Sequence, residues 1–202
     1  MTRYLTPTIL LAALLLVAPQ STRAAGFSQD SDHIAAIEKH TPVDDAVDKG
    51  LAWLVEQQDA ETGAFRGKHK NAYTGLACIA LMAAGHFPNR SKYGENLRAG
   101  LMYLVDEAGK DKNGYLGNDG GRMYGHGICA LAMTEAYGMM ATEEDNRKLR
   151  EGLAPALKVI LDSQSTQKNQ NFGGWRYSPR PNDSDLSVAA WQILALRSAQ
   201  NC

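Results

Sequence analysis

The stretch GGWRYSPRPNDSDLSVAAWQILAL, residues 173–196, places Asp183 and Asp185 two residues apart at the threshold of a charge-free apolar run. Carboxylates so placed have two chemistries open to them. Aimed into an apolar cavity they can deliver a proton, which requires surroundings that raise their pKa. At the start of a helix they instead accept hydrogen bonds from free backbone N–H groups and are held ionised. The segment from Pro181 to Ser187 is polar, short-chained and broken by proline, as expected of a loop leading into a helix, and the cap is the favoured reading. The candidate acids are therefore Asp185 and Asp183. The candidate ligand-binding set is Trp175, Arg176, Tyr177, His126, Tyr124 and Trp191. Aromatic faces stabilise a bound cation by ~0.5–2 kcal/mol each, and Tyr73 and Tyr137 could join such a lining. The plainer alternatives are a packed core for the aromatics and a hydrogen-bonded interior position for His126. The five histidines are scattered without metal-ligand spacing, so neither a metal nor a cofactor is expected.

These residues sit in a repeating pattern. KGLAWLVEQQ begins at Lys49, AGLMYLVDEA at Ala99 and EGLAPALKVI at Glu151, so a Gly-Leu pair recurs at Gly50, Gly100 and Gly152. Each is followed by a glycine with an aromatic residue one or two positions on (Gly63 with Phe65, Gly114 with Tyr115, Gly174 with Trp175) and then by an apolar run rich in small residues. Self-similarity of this kind marks stacked supersecondary units. The first helix of each unit is amphipathic; in the first unit Val43, Val47, Leu51 and Leu54 oppose Asp44, Asp45, Asp48 and Glu56. Thr41, Pro42 and Asp44 spell its start, and Thr142 followed by Glu143 and Glu144 does the same for the third unit. The second helix differs. No charged residue lies between Lys70 and Arg90 or between Asp185 and Arg197, and only Glu135 interrupts the span from Arg122 to Glu143. Helices apolar on every side are expected to be buried on every side. Alternating types predict an all-α protein in two layers, with helices near residues 72, 124 and 187 inside and those near 43, 95 and 143 outside.

At 202 residues the chain suits one modest domain, and a formal net charge of -1 with mixed signs offers no nucleic-acid footprint. Arg3, the apolar stretch Ile9–Val17 and the small residues of STRAAG have the layout of an export signal, cleaved after Ala24 or Ala25. The expected organisation is a signal at 1–25, a linker at 26–42 and a repeat domain at 43–202, with units of about 43–90, 91–141 and 142–202. Cys78 and Cys129 fall in apolar runs and read as buried free thiols, a bridge between them being the lesser alternative.

Lys49, Gly50, Trp53, Leu54, Gln58, Gly63 and Phe65 resemble the repeated signature of squalene cyclases and protein prenyltransferases. The second unit keeps Gly100, Tyr103, Leu104 and Gly114 but has Ala108 in place of Gln; the third keeps Gly152, Gln164, Gly174 and Trp175. The resemblance covers residues 43 to 200 and implies an α/α toroid of concentric helices, present as about three repeats of an incomplete ring. It also implies a D-x-D-D acid run, of which Asp183 and Asp185 match the first two acidic positions, while Leu186 replaces the last. By that carry-over Asp185 is the proton donor. The zinc ligands of prenyltransferases, an Asp-x-Cys pair with a later His, have no counterpart here.

Three functions follow as expectations. One is an exported enzyme or remnant acting on, or binding, a hydrophobic isoprenoid-type molecule. Another is a non-catalytic toroid that binds a lipid or protein partner. The third is a carbohydrate-active toroid. The expected partner is a hydrophobic small molecule, with self-association or further C-terminal repeats completing the ring.

Overall fold

The computed structural model describes residues 40–202, an all-α arrangement of six helices. The proposed export signal, and the linker as far as residue 39, lie outside the described residues. In chain order the helices are α1 (Pro42–Glu56), α2 (Lys70–Ala83), α3 (Gly94–Lys110), α4 (Arg122–Ala136), α5 (Glu143–Asp162) and α6 (Leu186–Ala199). All begin within two residues of the positions expected from the sequence. Among the described residues the only β pairing is a single bridge between Gln58 and Phe65.

Local chemistry explains the ends. Thr41 and Asp44 form a reciprocal capping box ahead of Pro42, and the Thr142 side chain accepts the Asp145 N–H. Both devices satisfy donors that the first helical turn leaves unpaired.

The charge-free helices form one row. Gly75 on α2 faces Ile128 and Cys129 on α4, and Gly127 on α4 faces Trp191 and Gln192 on α6. A Cβ on Gly127 would lie 2.9 Å from that of Trp191, so the missing side chain is what admits the neighbour. The amphipathic α3 and α5 form a second row, joined where Arg98 donates to both carboxylate oxygens of Asp145 at 2.7 and 2.8 Å. Asp145 is buried, and this guanidinium holds its carboxyl below the usual range. The main core lies between the rows, where Leu81, Leu97, Leu101, Leu104, Met133 and Leu149 are all fully buried.

Burial departs from expectation in an informative way. Only α4 is enclosed, with every residue from Gly125 to Thr134 buried. On α2, Tyr73 and Leu76 are exposed, and on α6 so are Leu186, Ile193 and Leu194. Helix α6 buries only Val188, Ala189, Gln192 and Ala195, no larger a share than α3 or α5. The expectation that all three charge-free helices are covered on every side is therefore corrected. Helix α4 has a row neighbour on each flank, whereas among the described residues α2 and α6 each have one such neighbour.

Candidate functional site

The loop before each charge-free helix is built alike. Gly63, Gly114 and Gly173 all adopt a left-handed backbone, with φ of 79°, 79° and 80°, which only glycine takes at little cost. Two residues beyond each comes a buried anchor: Phe65, Leu116 or Trp175. This corrects the sequence alignment, which paired Gly114 with Tyr115 and took Gly174 as the third glycine. Gln58 donates to the carbonyls of Gly63 and Asn96, each at 2.8 Å, and so ties the first unit to the second; Gln164 donates to Gly173 at 2.8 Å.

His126 belongs to this scaffold. It occupies the position on α4 that Thr74 occupies on α2. Thr74 Oγ1 accepts the N–H of Phe65 at 2.9 Å, and His126 Nδ1 accepts that of Leu116 at 3.1 Å. With Nδ1 accepting, Nε2 carries the proton and donates to the Ala156 carbonyl at 3.0 Å. The ring is fully buried, and burial lowers its pKa to about 4. Both nitrogens are thus committed to backbone. Trp175 is likewise buried, its indole N–H donating to the Ile160 carbonyl at 2.8 Å.

The two aspartates converge on Arg176. Asp185 Oδ2 accepts from Arg176 Nη1 at 3.0 Å, and Asp183 Oδ2 lies 3.3 Å from Arg176 Nε. Asp185 Oδ1 accepts the Val188 N–H at 3.0 Å and the Ser187 hydroxyl, making Asp185 the N-cap of α6. The Ser187 hydroxyl, then the Val188 N–H and Arg176, hold this carboxyl below its ordinary range. A proton donor at neutral pH needs the opposite shift. Chemically the cluster is a cap and an ion network.

A different surface gathers the remaining aromatics. A groove of about 410 Å³ runs between the starts of α2 and α4, walled by Tyr73, Leu76, Tyr124, Ile128 and Tyr177, with His69 and Arg122 at its rim. Its volume falls within the ~300–1,000 Å³ typical of small-molecule sites. Tyr124 also meets Trp191 edge-on, ring centres 6.2 Å apart. The Arg176 guanidinium covers the Tyr177 ring at 4.8 Å, which connects the ion network to the groove wall. Neither aspartate lines the groove. Tyr137 lies in a separate hollow with Arg150, Leu157 and Cys202.

The rim is fixed across the repeat. Asp119 accepts the N–H of Asn71 at 2.8 Å and that of Gly121 at 2.9 Å. Asn71, buried, also donates to Leu116 O and accepts from the Tyr103 hydroxyl at 2.8 Å. Those bonds hold the Gly117–Arg122 loop against the start of α2. His69 and Arg122 escaped the sequence reading because one ends the loop before α2 and the other opens α4, about fifty residues apart in the chain.

The sulfurs of Cys78 and Cys129 are free and buried, and burial pushes the Cys78 thiol up to about 12. Among the described residues no cluster of three or more His, Cys, Asp or Glu is placed to hold a metal, and no helix is long and apolar enough to cross a membrane. In comparison with known proteins, no family model, curated protein or solved structure matches the chain.

Proposed function

We propose that this chain is a helical-hairpin repeat protein of the α/α-toroid type whose inner row of helices binds an elongated apolar ligand without proton-donor catalysis. The observation that carries the reading is the aromatic-walled groove on the charge-free helices, with Tyr73 and Leu76 exposed along it. An apolar surface held open by backbone-anchored loops suits a ligand that fills it. The cyclase-type reading draws no support from Asp185, whose carboxyl serves a helix start and Arg176.

Titration of the full chain with dodecanol, followed by tryptophan fluorescence, tests the proposal. Binding should saturate, should be lost in Leu76→Asp, and should survive Ile193→Asp, which alters an exposed apolar residue outside the groove. Non-saturable binding, or equal binding by Leu76→Asp, would refute it. Incubation with a squalene-like polyene should give no cyclised product. Product that disappears in Asp185→Asn and persists in Asp183→Asn would restore the catalytic reading.

A further inference from the structure

Resting on the groove reading above, we infer that the ligand is a single-chain amphiphile with an anionic head, an alkyl or acyl chain ending in a phosphate or carboxylate. Two observations specify it, one for the tail and one for the head.

The tail is specified by continuity. A second hollow, of about 340 Å³, lies on the other side of the same ridge, walled by Trp53, Leu54, Phe65 and Ala80. Both hollows use Tyr73 and Leu76 as a wall. The two hollows meet at the exposed Tyr73 and Leu76 side chains, so a chain laid over them would reach from the start of α4 across α2 to α1, a span suited to a chain rather than a compact ring system. No carboxylate lines either hollow.

The head is specified by charge. From Thr62 to Gly94 the sequence has no Asp or Glu, while Arg66, Lys68 and Lys70 precede or open α2. All three are exposed. Arg66 lines the second hollow, and His69 and Arg122 the first. Arg66, Lys68, Lys70 and Arg122 take part in none of the ion pairs among the described residues. The carboxylate nearest in the loop, that of Asp119, has one oxygen on the Asn71 N–H and the other on the Gly121 N–H. Arg176 is already matched by Asp183 and Asp185. Positive side chains thus flank both hollows, His69 and Arg122 at the first and Arg66 at the second, and no carboxylate stands on either wall. An anionic head gains charge-assisted hydrogen bonds there, whereas a cationic head meets repulsion.

The test compares heads on one tail. Dodecyl phosphate, dodecanoate, dodecanol and dodecyltrimethylammonium are each titrated into the full chain below their micelle concentrations, by calorimetry at low and moderate salt. Both anions should bind at least ~10-fold more tightly than the alcohol, by the ~1.4 kcal/mol that one such contact commands, and the ammonium more weakly than either. Salt should narrow the gap. Arg122→Gln combined with Arg66→Gln should bring the anions close to the alcohol, and Arg122→Lys with Arg66→Lys should restore most of the difference. Arg122 has a left-handed φ of 53°, so Arg122→Gly, which relieves that conformation while removing the charge, serves if Gln fails to fold. Inorganic phosphate alone should not displace the amphiphiles. Equal affinity for all four heads would overturn the anionic assignment and leave the groove reading standing. Binding of none would overturn both. Displacement by inorganic phosphate would overturn the amphiphile in favour of a simple anion site.

Discussion

At the scale of single residues, His126 makes the sharpest statement. Its ring is neutral, buried and committed at both nitrogens. The folded pKa of about 4 lies below the ordinary 6.5, so between those values the unfolded chain takes up a proton that the folded chain refuses. The stability His126 supports is complete above the unfolded value and is lost as pH falls from there toward the folded one. That loss should reach on the order of 3 kcal/mol by pH 4. Denaturant unfolding at several pH values measures it, and His126→Gln, which keeps one acceptor and one donor, should flatten the slope. An unchanged slope in that variant would place the titrating group elsewhere. Asp185 offers a second test. Asp185→Ala should lower the thermal midpoint, while Asp185→Asn, which keeps an acceptor for Val188 N–H but drops the charge facing Arg176, should retain most of the stability.

At the scale of elements, the recurring Gly-Leu pair separates packing from propensity. A Cβ on Gly50 would meet nothing within 4 Å, whereas one on Gly100 would lie 2.8 Å from the Cys78 sulfur and 3.4 Å from Thr74. Gly50→Ala should therefore stabilise by up to ~1 kcal/mol through helix propensity. Gly100→Ala should destabilise by ~1–3 kcal/mol through overpacking. Chemical denaturation of both variants checks the opposite signs. The helices themselves were legible because their signals are local: threonine caps, a proline at the first turn and runs without charge. The register of the loops was only partly legible, since Gly173 and Gly174 are adjacent and only the backbone tells which is left-handed. Exposure on α2 and α6 was hidden for a different reason. Composition records that a helix is apolar, but not how many neighbours it has. The groove rim was hidden further still, because Asp119 and Asn71 bring Arg122 and His69 to one hollow from separate repeats.

At the scale of the whole described chain, the exposed apolar residues of α6 lead to a prediction about association in solution. Leu186 and Ile193 are 86% and 54% exposed, one helical face apart by seven residues. Replacing both with lysine should change folding stability by less than ~1 kcal/mol, as surface changes do. It should also reduce dye binding and concentration-dependent association, which light scattering would report. The row of α2, α4 and α6 has a kinetic corollary. Each helix leans chiefly on its neighbours, so opening can proceed from the ends inward without breaking the middle. Helix α1, whose only buried residue is Leu51, should exchange its amide hydrogens fastest. Helix α6 should follow, and α4, flanked on both sides, should exchange last and only with global unfolding. Native-state exchange would then read the molecule as a ladder of opening free energies, its top rung in α4 and its rungs descending toward either edge.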